Sequence, residues 1–219
     1  MTADAQTEQP PWREVVRAAA EKAAEAAHRF YGDPEEVLFN YRWEHVQAVV
    51  RLALRLADLT GADKTIVEAA AWLHDISKLE GKEHGRDGAI VARRLLAETD
   101  YDQGKIDAVA DAIVKHVQGP DPEPITPLEA AVLWDADKLT KLGAISALMY
   151  TAFWVKVGWR SIDHLVERLP HPRREAIVAG LNTAPARAAG RRRLEALEAF
   201  WRQAIRELDG DDLYGVPAR

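Results

Sequence analysis

Apolar residues recur every three or four positions along most of this chain, and no stretch alternates like a half-buried strand. The pattern predicts a helix from Pro11 to about Phe30, with proline in its first turn and Gly32 and Pro34 closing it. A second helix runs from about Arg42 to Thr60 and stops at Gly61. A third starts at Asp63, a good N-cap residue, and ends around His74-Asp75. After a polar connection from Ser77 to Gly85, a fourth spans about Arg86 to Glu98 and a fifth Gln103 to Val117, stopping at Gly119-Pro120. Thr126-Pro127-Leu128-Glu129 reads as the start of a sixth, with a threonine cap, proline at the first position and a glutamate placed for a capping box. Its periodicity carries past Gly143 to about Val157. Beyond Gly158, two shorter helices flank Pro170 and Pro172, and a last amphipathic helix runs from about Pro185 to Leu208. The expectation is an all-α protein with a disordered lead at 1–11, a helical domain at 12–157, a C-terminal helical appendage at 158–208 and a mobile tail at 209–219.

Composition narrows the chemistry. A chain of 219 residues fits one domain with an appendage, and 47% hydrophobic with 29% charged residues is ordinary for a globular protein. A net charge of −6 is a poor match for a duplex nucleic-acid partner, so none is expected. There is no cysteine, which excludes disulfides, thiol nucleophiles and thiolate ligands. Any metal must therefore be held by His, Asp and Glu. The N-terminus is polar, without an apolar signal core. The longest apolar run, Ala144 to Val155, is broken by Ser146 and Thr151 and falls well short of the ~20 residues of a membrane span. A cytoplasmic address without membrane association is expected.

Histidine, histidine-aspartate and aspartate on three apolar helices make a mixed nitrogen and oxygen set suited to first-row divalent ions. His45 shares a helical stripe with Val49, Leu52 and Leu56, so it points to the core. His74 and Asp75 are about 100° apart on a helix and reach one ion only where the backbone loosens, as Ile-Ser-Lys-Leu-Glu-Gly implies. Asp135 and Asp137, two residues apart, cannot both face one metal. Asp137 shares a stripe with Ala130, Leu133 and Trp134, and Asp135 with Leu128, Val132, Leu139 and Leu142, so periodicity does not choose between them. His116 aligns with Val109 and Ile113 at a helix end, and His84 precedes the fourth helix; both are candidates for a second metal position. Their ordinary alternatives are a histidine favoured by a helix C-terminus and a plain loop residue. His28, His164 and His171 lie outside the pattern.

The order His45, His74-Asp75, Asp137 resembles the HD-domain superfamily of metal-dependent phosphohydrolases. His-Asp-Ile-Ser-Lys is similar to the family's His-Asp-Ile-Gly-Lys, with Ser77 in place of glycine. Asp-Ala-Asp-Lys-Leu is similar to the late motif, whose ligand is normally the aspartate directly before the lysine, here Asp137. The resemblance covers about residues 40–145. The segment from His84 to Ala89, followed by Ile-Val-Lys-His116, is similar to branches with two metals, among them hydrolases that cut diadenosine polyphosphates.

The resemblance implies an HD-type helical bundle that hydrolyses a phosphate ester or anhydride by attack of metal-bound hydroxide. Its substrate would be a nucleotide or similar small phosphorylated molecule. The cofactor would be one or two divalent ions per chain on His45, His74, Asp75 and Asp137, extended by His84 and His116. Manganese or iron come first, with magnesium, cobalt, nickel and zinc compatible. Asp75 and Lys78 are the expected catalytic residues, and Arg42 and Lys78 the expected phosphate-binding cations. Lys82, Arg86, Lys115 and Lys138 are further candidates to face a phosphate but read first as solvated charges, and Glu44 and Asp135 are candidate proton shuttles or orienters of the histidines. Trp43 and Trp134 flank proposed ligands and are core residues first, nucleobase platforms second. The aromatic end of the sixth helix, Tyr150, Phe153, Trp154 and Trp159, suits packing of the appendage or a homodimer contact. Two other classes fit the ligand pattern: a dinuclear iron oxygenase of the same fold, and a catalytically silent regulatory metal-binding module.

Overall fold

A computed structural model describes residues 10–30, 39–120, 123–156, 161–167 and 173–214. Among them there is no strand, and the expected all-α architecture is what the chain adopts. The helices are α1 (Trp12–Phe30), α2 (Tyr41–Thr60), α3 (Lys64–Leu73), α4 (His84–Ala97), α5 (Ile106–Lys115), α6 (Leu128–Leu139), α7 (Gly143–Lys156), α8 (Ile162–Glu167), α9 (Arg173–Ala179) and α10 (Ala184–Asp209). Gly32, Pro34, Pro170, Pro172, His171 and Trp159 fall outside the described residues, as do most of the expected lead and the end of the expected tail.

The bundle is organised around α3, whose Val67, Ala69, Ala70, Ala71 and Leu73 are wholly buried. Small side chains there let α2, α5 and α6 approach on different sides. Its N-terminus is set by Asp63, whose carboxylate accepts from Thr65 N at 2.9 Å and Ile66 N at 3.3 Å. The same device starts α2, where Asn40 Oδ1 accepts from Trp43 N at 3.1 Å. One continuous core joins Val16 of α1, Val49 and Ala53 of α2, Ala92 of α4, Ile113 of α5, and Val132 and Leu133 of α6. Leu181, between α9 and α10, and Ala186, in the first turn of α10, belong to that same core. On α4, Gly85 lies against α5's exit: a Cβ there would meet Val117 Cγ1 at 3.0 Å. The absence of a side chain is what brings His84 close to His116.

Two local expectations are corrected. The predicted long sixth helix is two helices, because the chain turns over Thr140–Leu142 and Gly143 takes φ +85°, a left-handed conformation that cannot sit inside an α-helix. The predicted capping box at 126–129 does not form, for Pro127 occupies the cap and makes no side-chain bond. Glu129 Oε1 instead accepts from Asp63 N at 3.0 Å, and the Thr126 carbonyl accepts from Lys115 Nζ at 2.6 Å. No helix among the described residues is long and apolar enough to cross a membrane.

Candidate metal centre

The α-helical ladder of α3 ends at Leu73, and the chain tightens into i→i−3 bonds, Ile76 N to Leu73 O at 3.1 Å and Lys78 N to Asp75 O at 3.0 Å. That tightening lets two consecutive side chains share one focus. Around Asp75 gather His45 from α2, His74 beside it, His84 at the start of α4 and His116 at the end of α5. Asp75 Oδ2 lies 3.8 Å from both His45 Nε2 and His74 Nε2. Its Oδ1 lies 3.6 Å from both His84 Nε2 and His116 Nε2. Asp137 Oδ1, from α6, lies 3.4 Å from His45 Nε2. The residues thus form two groups with metal-ligand spacing, His45–His74–Asp75 and Asp75–His84–His116, joined by one carboxylate.

Each histidine is held so that Nε2 faces inward. His74 Nδ1 donates to the Ala71 carbonyl at 2.8 Å, His84 Nδ1 to Gly81 at 2.6 Å and His116 Nδ1 to Ile113 at 2.5 Å. A carbonyl only accepts, so the proton sits on Nδ1 and Nε2 is left as an acceptor, which on His84 takes a bond from Lys78 Nζ at 3.1 Å. His45 reaches the same state through Thr140, whose hydroxyl donates to the Asp137 carbonyl at 2.6 Å and is left to accept from His45 Nδ1 at 3.3 Å. Burial pushes the His45 pKa down to about 3 and that of His74 down to about 4, so both rings are neutral at neutral pH. His84 is lowered too, by burial first and by Lys78 second.

The arrangement asks for a cation. His45 Nε2 and His74 Nε2 stand 3.3 Å apart, and with both protons on Nδ1 these are two acceptors facing each other. Asp75 Oδ1 and His116 Nε2 are buried without a hydrogen-bond partner among the described residues. The donor set fits a divalent ion of the first transition row. Burial opposes the charge on Asp75, yet Lys78 and Arg42 hold its carboxyl well below the usual range. Asp137 is likewise held low against burial, by Lys138 and Lys141.

Four permanent cations surround the two carboxylates. Arg42 NH1 contacts Asp75 Oδ2 at 2.6 Å, and Lys78 Nζ lies 3.1 Å from both Asp75 Oδ1 and His84 Nε2. Lys138 Nζ spans Asp137 Oδ2 at 2.6 Å and the His116 carbonyl at 3.0 Å, with the Trp134 ring centre 5.0 Å away. Lys141 Nζ meets the same Asp137 Oδ2 at 3.2 Å.

Every residue singled out as a ligand or phosphate-binding cation therefore comes to one place, while several lesser candidates do not. Asp135 is fully buried and faces away: its carboxylate accepts from Asn182 N (2.7 Å), Asn182 Nδ2 (3.0 Å), Thr183 N (2.8 Å) and Thr183 Oγ1 (2.8 Å). The expectation that it orients a histidine or shuttles protons is thereby corrected; it anchors the entry to α10. Lys115 pairs with Asp111 and Arg86 with Glu83, away from the cluster. Trp134 is a core residue whose Nε1 donates to the Gln118 carbonyl, and Trp43 stacks on Trp72 at 5.8 Å. The Lys82 side chain lies outside the described residues. Lys138 moves from solvated charge to buried clamp. Thr140, Lys141 and Tyr41, whose ring stacks on His45 at 6.2 Å, were not singled out. Lys141 lies four residues after Asp137, a spacing that puts two side chains on one helical face and would have found it.

The HD-domain family model matches residues 42–142, the stretch that contains every one of these candidate ligand residues. The chain carries an HD domain. Its fold is shared with the crystal structure of a predicted HD superfamily hydrolase from an uncultured Thermotogales bacterium. That match has a TM-score of 0.62 and 22% identity, and it covers 95% of this chain and 99% of the other. An HD-superfamily hydrolase from Bacillus thuringiensis matches with TM-score 0.62 and 22% identity over 89% of this chain and 98% of its own. Bacillus subtilis YpgQ, solved in complex with ADP, matches with TM-score 0.59 and 22% identity over 90% of this chain and all of its own. The shared fold therefore extends beyond the HD domain proper into the C-terminal helices.

Proposed function

We propose that this chain is a metal-dependent phosphohydrolase, cleaving a phosphate ester or anhydride of a nucleotide or similar small phosphorylated molecule. The observation that carries the reading is the pair of candidate ligand groups sharing Asp75, with each histidine holding its proton on Nδ1 and turning an Nε2 acceptor inward. His45, His74, Asp75 and Asp137 would hold one divalent ion, and Asp75, His84 and His116 a second. Such ions, when bound, acidify water and polarise a phosphoryl oxygen.

The chain's own residues supply the rest. Asp75, held ionised by Arg42 and Lys78, keeps both of its oxygens available as acceptors. Arg42 and Lys78 keep side-chain exposures of 17% and 34%, enough to meet a phosphate while their ends reach the carboxylate. A planar guanidinium and a flexible ammonium on one side of the site suit a non-bridging phosphoryl oxygen pair. Lys138, buried and doubly bonded, ties the Asp137 carboxylate to the backbone of His116, so the two ligand groups keep a fixed separation. The ADP complex of YpgQ supports a nucleotide as the first substrate to try.

The test is metal content and turnover together. Protein purified without chelator and equilibrated with manganese or iron should hold about two equivalents per chain, falling to about one in His84→Ala or His116→Ala. A phosphatase and nucleotide screen on loaded protein should give activity that Asp75→Asn abolishes without unfolding the chain. Protein that binds no manganese, iron or cobalt would refute the proposal; loaded protein that consumes oxygen and hydrolyses nothing would redirect it to oxidation.

A further inference from the structure

The four cations around the site are not equivalent. Lys138 has a side-chain exposure of 11%, and its donors are committed to Asp137 Oδ2 and the His116 carbonyl. Arg42 and Lys78 stand on the Asp75 side of the cluster. Lys141 contacts the other carboxylate, Asp137, from the turn between α6 and α7, with 33% of its side chain exposed. Its ammonium has three N–H donors, and Asp137 Oδ2 at 3.2 Å is the acceptor the structure gives it, an oxygen already taken by Lys138 at 2.6 Å. A structural clamp at Asp137 is thus complete without Lys141.

Charge makes the same argument. Two carboxylates, Asp75 and Asp137, face four permanent cations, so the cluster carries a positive excess before any metal adds to it. One phosphoryl group in contact with Arg42 and Lys78 leaves Lys141, paired with the other carboxylate, unanswered. A substrate with a second anionic group answers it.

Resting on the phosphohydrolase reading above, we propose that Lys141 is a specificity-determining residue that binds the second anionic group of a diphosphate-containing substrate. Arg42 and Lys78 hold the phosphoryl group at the metal side, and Lys141 holds its neighbour. Monophosphates lack that neighbour and bind without the contact.

The experiment measures binding of inorganic pyrophosphate and of inorganic phosphate to manganese-loaded protein by calorimetry, for the natural chain, Lys141→Gln and Lys141→Arg. The expected result is a loss of about tenfold in pyrophosphate affinity in Lys141→Gln. Phosphate affinity should change less than twofold, manganese stoichiometry should be kept, and Lys141→Arg should recover most of the loss. In steady-state hydrolysis of a nucleoside diphosphate the same variant should raise KM more than it lowers kcat. Equal losses for both anions would overturn the proposal and make Lys141 a positioning residue for Asp137, and no change for either would overturn it outright. If the natural chain loads manganese and binds neither anion, the phosphohydrolase reading itself falls and this inference with it.

Discussion

Replacing Asp135 by asparagine tests whether this carboxylate is a structural anchor and not a metal ligand. It accepts four hydrogen bonds from Asn182 and Thr183 in full burial, and those two residues open α10 through the Thr183 cap on Ala186 N at 3.3 Å. An asparagine keeps the shape and one acceptor oxygen, so the pair of donors on one side survives. The other pair meets an NH2 group; the Thr183 hydroxyl can rotate, but the Thr183 N–H cannot and is left facing a donor. A buried donor without a partner costs about 1–3 kcal/mol, and the bonds to a charged acceptor that become neutral lose strength as well. The expected destabilisation is about 3 kcal/mol, which for a domain of this size lowers Tm by roughly 6–12 °C. Thermal unfolding of natural and Asp135→Asn protein, each with its metal content measured, reads the result. Metal stoichiometry should stay as it is in the natural chain. A Tm within about 2 °C of the natural chain, or lost metal binding with stability intact, would refute the anchor.

In chelated protein, stability should fall as pH drops from about 6.5 towards 4. His45 and His74 have folded-state pKa values of about 3 and 4, below the unfolded value near 6.5, so the unfolded chain binds more protons throughout that window. Each ring contributes a slope of up to about 1.4 kcal/mol per pH unit, and a flat Tm between pH 7 and 4.5 would contradict their neutral burial. Gly180→Ala should destabilise by about 1–3 kcal/mol with metal content unchanged. Its new Cβ would sit 2.7 Å from Pro120 Cβ and 3.0 Å from Pro120 Cα, where a ring and a backbone have little room to retreat. Chemical denaturation that finds the two chains equally stable would show that this contact relaxes without cost.

Helix positions were legible because buried residues do recur at helical spacing: Val46, Val49, Val50, Ala53, Leu56 and Ala57 line one side of α2 as the pattern requires. The ends were less so. Asp63 acts as the cap its residue type promises, yet at 126–129 Pro127 takes the cap position and Glu129 spends its carboxylate on Asp63 N instead. Local sequence states what a side chain can bond, and tertiary neighbours decide what it does bond. Gly143 shows the converse, for a glycine inside an apolar run is neutral to periodicity until the chain needs a left-handed residue there.

The gathering of the candidate ligands was legible for a stronger reason: titratable side chains on apolar stripes have nowhere to point but inward. What periodicity left open was the choice between Asp135 and Asp137, since both are buried on the same helix. The difference lies in what each meets. Asp135 finds four neutral donors from the α9–α10 connection, which satisfy a carboxylate completely and leave it no role in a metal site. Asp137 finds His45 on one oxygen and two lysines on the other, which fix its orientation and hold it ionised without occupying the ligand side. Lys138 and Lys141 are sequence neighbours of Asp137, but His45 in the one case and Asn182 and Thr183 in the other are distant, and only the folded chain brings them to these carboxylates. A buried carboxylate is therefore read as a metal ligand or an anchor from the charge and donors around it, and its own position on the helix is silent on the point.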